Sequence, residues 1–114
     1  MLEHALTMEV MDLDQLSSLF RLLSEKTRLA ILLQLARGER NVTSLCEELG
    51  LPQPTVSHHL GLLRMNNIVA NRRSGKQVYY GLMAQATKPD SVLEFLLHNV
   101  IVSVAPRGPD GDVV

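Results

Sequence analysis

The chain has 114 residues, of which 46% are hydrophobic, and its 12 acidic and 11 basic side chains give a formal net charge of -1. This length and composition fit one folded domain with one core and exclude a disordered chain. Cys46 is the single cysteine, which excludes an internal disulfide and a multi-thiolate metal site within one chain. With no Trp, two Phe and two Tyr, the core must be built mainly from Leu, Val, Ile and Met. Domains of this size often complete their burial by dimerising. The longest apolar run, around Val100-Ile101-Val102, is far short of the roughly 20 residues of a membrane helix. Glu3 and His4 interrupt any basic and apolar leader. The expected location is cytoplasmic.

Residues 1–12 are weakly patterned and read as an N-terminal arm or a helix extension. From Leu13 the series Leu13, Leu16, Phe20, Leu23 has helical spacing. Ser24 is the expected N-cap of a second helix, with Glu25 in its first turn. That helix carries Leu29, Leu32, Leu33, Leu35 and Ala36 and stops at Gly38. Asn41 or Thr43 opens a short third helix with Val42, Leu45 and Leu49, ended by Gly50. After the turn Leu51-Pro52-Gln53, a fourth helix starts near Pro54, where a missing N–H does no harm, and runs to Asn66-Asn67. Val69–Arg73 and Gln77–Leu82 read as strands around Ser74-Gly75-Lys76. Asp90 is placed to cap a last helix through Val92, Leu93, Leu96, Leu97, Val100 and Ile101. Residues 105–114, with two Pro, two Gly and two Asp, read as a disordered tail. The main domain is 13–104, mainly α with a β-hairpin: helix, helix, helix, helix, hairpin, helix. Two short helices joined by a Gly-containing turn and followed by a hairpin make a winged helix-turn-helix.

Charge is segregated along this order. Between Leu49 and Pro89 there is no Asp or Glu but there are five cations: Arg64, Arg72, Arg73, Lys76 and Lys88. A polar helix followed by a basic hairpin on an acid-free stretch suits a reader of duplex DNA, because phosphate neutralisation supplies much of the affinity.

Three segments resemble the ArsR/SmtB repressors. Lys26-Thr27-Arg28-Leu29-Ala30-Ile31-Leu32-Leu33 is similar to their second helix. Gln53-Pro54-Thr55-Val56-Ser57-His58-His59-Leu60 is similar to their recognition helix, and Arg72 through Leu82 to their wing. The resemblance extends from about Leu16 to Leu97. It implies a homodimeric repressor, joined through its first and last helices, that is controlled by a metal ion or another small inducer.

On the fourth helix, Leu60 and Leu63 fall within about 40° of Val56, so these three residues anchor it to the core. Pro54, His58 and Gly61 then face outward, flanked by Thr55, Ser57 and Arg64. Thr55, Ser57 and His58 suit base edges in the major groove, and the Gln53 amide can pair bidentately with adenine. Gly61 either permits close approach to DNA or is merely tolerated. His59 lies nearer the core and is expected to be packed and hydrogen-bonded. Arg64, Arg72, Arg73 and Lys76 suit phosphate or minor-groove contact, against the reading of an ordinary charged hairpin tip.

The inducer is less legible. Third-helix metal sensors of the resembled family carry Cys-Val-Cys-Asp-Leu-Cys, where this chain has Asn41, Thr43 and Cys46, so a soft-metal thiolate site is not expected. Last-helix sensors carry an Asp-x-His pair, where this chain has Ala84 and Ala86, and a second His pair, where only His98 stands. Asp90 and His98, met across a dimer by groups such as His4 or Glu3, remain as ligands for a divalent nickel or zinc ion. The alternative is a capping Asp and an interface His. Cys46 reads as packing rather than a redox switch. The leading expectation is therefore a dimeric repressor on an inverted-repeat operator, with double-stranded DNA and a second copy as partners. The alternatives are a winged-helix protein-interaction module and a constitutive repressor without an inducer. No cofactor is certain. No enzyme is expected, because no nucleophile–base–orienter set and no Gly-rich phosphate loop is present.

Overall fold

The computed structural model describes the backbone of residues 2–83, 93–97 and 100–109, and the side chains within those ranges except at 2–12, 95–97 and 100–101. Among the described residues the order is α1 (Leu2–Leu23), α2 (Lys26–Leu35), β1 (Arg40–Asn41), α3 (Val42–Leu49), α4 (Gln53–Met65), β2 (Val69–Ser74), β3 (Gln77–Leu82), β4 (Leu93–Leu97) and β5 (Val100–Val104). The fold is a winged helix-turn-helix.

The core lies where α2, α3 and α4 meet. Ile31, Leu32, Leu45, Val56, Leu60 and Leu63 are all fully buried there, joined by Leu35, Val69 and, from α1, Leu19 and Leu23. On α1 and α2 the apolar series divides in two. Leu13 and Phe20 are 60% and 56% exposed, so they form an outer stripe while Leu19 and Leu23 face inward. Leu29 and Leu33 are likewise exposed, and Ile31 takes their place in the core beside Leu32 and Leu35. The α1 helix begins at Leu2, so of the two readings of the N-terminal stretch the backbone follows the helix extension.

Capping explains most of the boundaries. The N-cap of α2 is Glu25, not Ser24: its carboxylate accepts from the Arg28 N–H at 3.0 Å. Ser24 instead closes α1, its hydroxyl donating to the Arg21 carbonyl. The Arg28 hydrogen bond holds the Glu25 carboxyl below its usual range. Asn41 caps α3 by accepting from the Ser44 N–H at 2.8 Å, and its amide also donates to the Gln77 side chain. Gly50 ends α3 at φ 65°, a left-handed conformation that costs glycine little. Asn41→Ala is expected to lower stability by about 1 kcal/mol, with Asn41→Ser recovering most of it, in urea titrations followed by circular dichroism.

The wing is a three-stranded sheet in the order β1-β3-β2. The β2–β3 ladder runs from Val69↔Leu82 to Ser74↔Gln77, so Gly75 and Lys76 alone form the turn. Gly75 has φ 61° and Lys76 is not at positive φ, the pattern of a II′ hairpin turn. Strand β1 was not anticipated; it pairs Arg40↔Tyr80 and Asn41↔Tyr79, tying the wing to the segment before α3.

The last element differs from expectation. In place of a helix through 92–101, Leu93–Leu97 and Val100–Val104 form an antiparallel pair, from Leu93↔Val104 to Leu97↔Val100. A short apolar run fits either period. Here Val100, Ile101, Val102 and Val104 are β-branched, which favours a strand. Leu93 is buried against the core, and the strand it belongs to packs beside α1. Residues 105–109 carry no helix. Asp90, His98 and residues 110–114 of the proposed tail lie outside the described residues.

Candidate nucleic-acid interface

The helix-turn-helix consists of α3, the turn 50–52 and α4. Pro54 lies in the first turn of α4 and no side chain caps that helix, so its leading N–H groups are left for an outside acceptor. Val56, Leu60 and Leu63 hold one side of α4 in the core as the sequence predicts. The opposite side is open: Gln53, Ser57, His58 and Arg64 are exposed and Thr55 is half-buried. An added Cβ at Gly61 would meet nothing within 4 Å, so no contact inside the protein requires a glycine there.

His59 turns away from His58. Its Nδ1 lies 3.3 Å from Arg28 Nη1 and 3.8 Å from Glu25 Oε2, with its side chain 14% exposed. The Arg28 Nε also donates to the Leu22 carbonyl. This cluster fixes the orientation of α4 against the start of α2.

The wing departs from the sequence reading at one residue. The stretch free of acids in sequence is not free of them in space. Arg72 donates to both carboxylate oxygens of Glu39, 33 positions earlier, at 2.9–3.1 Å. Its guanidinium also lies 4.9 Å from the centre of the Tyr79 ring. The hydrogen bond from Arg72 holds the Glu39 carboxyl below its usual range, and Glu39 in turn raises Arg72. Arg64, Arg73 and Lys76 are exposed, and none of them makes an ion pair among the described residues. Tyr80, unlike Tyr79, packs against the core. Glu39 was missed because nothing in its local pattern marks it; only the pairing of β1 with β3 brings it to the wing.

Among the described residues no three His, Cys, Asp or Glu side chains come together to hold a metal. Cys46 is half-buried against the core. The backbone of His4 is in α1, while its side chain, like all of Asp90 and His98, is outside the description. No helix of the described residues is long and apolar enough to cross a membrane.

The sequence profile of the bacterial regulatory protein arsR family matches residues 25–71, from the α2 cap into β2. The crystal structure of the transcriptional regulator HlyU from Vibrio vulnificus superposes with a TM-score of 0.64 at 31% identity, covering 70% of this chain and 83% of that one. The chain belongs to the ArsR family. The transcriptional repressor SmtB of Mycobacterium tuberculosis is 38% identical over 98 residues, which is 86% of this chain and 66% of SmtB. A homodimeric winged helix-turn-helix DNA-binding domain from Mycobacterium bovis is 33% identical with a TM-score of 0.61, covering 67% of this chain and 70% of that one. The chain spans 48% of the length of the M. tuberculosis regulator KmtR and 66% of that of SmtB.

Proposed function

We propose that this ArsR-family protein is a transcriptional repressor that binds an inverted-repeat operator as a homodimer and is released by an inducer. The division of α4 carries this reading. Three fully buried anchors fix the helix, and the side they leave open presents Gln53, Thr55, Ser57, His58 and Arg64. Gly61 supports it: glycine costs a helix interior about 1 kcal/mol against alanine, and here no internal contact offsets the cost. A surface that must approach a groove closely accounts for it. The uncapped first turn of α4 and the unpaired Arg73 and Lys76 suit phosphates on either side of the groove.

Dimerisation is supported by Leu13 and Phe20, two helical turns apart on the exposed side of α1. The second element of the interface is then the β4–β5 hairpin packed beside α1, in the place expected for a last helix. Two recognition helices related by a twofold axis would enter major grooves about one helical turn apart. For the inducer, nickel or zinc held by Asp90, His98 and His4 is the metal reading; constitutive repression is the other.

His58→Ala is expected to weaken binding to the chain's own promoter by about 1–3 kcal/mol while leaving binding to unrelated duplex unchanged. Fluorescence anisotropy with both duplexes measures this. Weak wild-type binding, equal on the two duplexes and indifferent to His58, would instead assign the winged helix to protein docking.

A further inference from the structure

We propose that Arg72 is a positioning residue of the wing, withheld from DNA by Glu39, and that Arg73 and Lys76 alone supply the wing's phosphate contacts. The inference rests on the DNA-binding reading above and deepens it. In the β1-β3-β2 sheet, Arg72 on β2 is directly opposite Tyr79 on β3. Ala70↔Gly81 is the next pair on the same face. On the far side of β3, Glu39 precedes the Arg40↔Tyr80 pair and so comes beside Gly81. The Arg72 side chain therefore crosses the whole width of β3. It lies along the Tyr79 ring, 4.9 Å from its centre, and ends in a two-pronged hydrogen bond to Glu39.

Gly81 leaves the space for this crossing. A Cβ there would meet Glu39 Cγ at 3.2 Å, tighter than ordinary contact. The backbone at Gly81 is not at positive φ, so the glycine answers to the close approach of Glu39 and not to a turn. Exposed ion pairs are usually weak because two long side chains must be ordered for little Coulomb gain. Here the ring and the glycine gap constrain both side chains, and the geometry is the paired fork that arginine and carboxylate favour. The consequence is a strap joining all three strands of the wing. An arginine whose charge is matched at close range by a carboxylate on Nε and Nη2 also has little net charge to offer a phosphate.

Two measurements on the full chain test this. The first is operator affinity across a salt series for wild type, Arg72→Gln, Glu39→Gln, the double variant and Arg73→Gln. Each lost phosphate contact lowers the slope of log K against log salt by about 0.9, or about 2 for both subunits of a dimer. Arg73→Gln is expected to show that loss, and Arg72→Gln to keep the wild-type slope. Glu39→Gln, which frees Arg72, is expected to steepen the slope, and the double variant to return it. A slope for Arg72→Gln reduced as much as for Arg73→Gln overturns the proposal. Wild type showing no salt-dependent binding would instead refute the DNA-binding reading.

The second measurement needs no DNA. Amide hydrogen exchange in β2 and β3 should rise in Arg72→Gln and in Glu39→Gln, no further in the double variant, and not in Arg73→Gln. Unchanged wing exchange in Arg72→Gln would show that the strap positions nothing, whatever the DNA result.

Discussion

Leu60→Ala is expected to lower the stability of the folded protein by about 2–5 kcal/mol, a large share of the roughly 5–15 kcal/mol that holds such a domain together. Leu60 is fully buried in the cluster where α2, α3 and α4 meet, with Ile31, Leu32, Leu45, Val56 and Leu63 equally closed to solvent. Backbone on both sides is fixed by helix hydrogen bonds, so the cavity left by three missing carbons has little room to collapse. Leu60→Met, which keeps the volume, should cost less than about 1.5 kcal/mol. Urea unfolding at one fixed protein concentration measures both, because a dimer's midpoint depends on concentration. An alanine variant shifted by less than about 1 kcal/mol would mean that the helices repack around the gap. The fraction that remains folded should bind the operator with the wild-type salt slope, since Leu60 is buried in the core, on the side of α4 opposite the proposed DNA-binding face.

That core was legible because α4 signals itself at several levels at once. Gly50 and Pro54 bracket its start, the spacing of Val56, Leu60 and Leu63 fits a single helical face, and the outward residues are polar. Where only one signal was present the reading slipped. Ser24 has the chemistry of an N-cap, yet Glu25 fills that role, because Ser24 is spent on the end of α1. Leu13 and Phe20 keep helical period with Leu23 but point outward; periodicity finds an apolar face without saying whether the chain itself covers it. The 93–104 segment was misread because Leu93, Leu96, Leu97, Val100 and Ile101 fit a helix by spacing. The β-branched Val100-Ile101-Val102 run carried the better clue.

The recognition surface shows the same division. The outward set on α4 follows from the buried anchors by geometry alone. The wing does not, because its electrostatics depend on pairs distant in sequence. A count of acids between Leu49 and Pro89 finds none, but β1 brings Glu39 across the sheet to Arg72. Arg40 is held likewise by Glu48 at 2.8 Å. The exposed cations of the described wing that remain unpaired are Arg73 and Lys76.

Reversing those two charges together, Arg73→Glu with Lys76→Glu, is expected to give the largest loss of operator binding of any surface change. In a dimer four cations become four anions. Losing four phosphate contacts lowers the salt slope by about 3.6, which in 0.1 M salt corresponds to a loss on the order of a thousandfold before any repulsion from the new carboxylates. Affinity titrated between low and high salt separates this effect from a folding defect. Neither side chain makes an ion pair in the described structure, so the melting temperature should barely move, as for ordinary surface substitutions. The competing view is that charges at a hairpin tip serve only to keep an edge strand from pairing with other chains. Glutamate would serve that purpose as well as arginine or lysine. Wild-type affinity in the doubly reversed variant would therefore favour edge protection and remove the wing from the DNA interface, whereas a steep loss at unchanged stability leaves phosphate contact as the role of these two side chains.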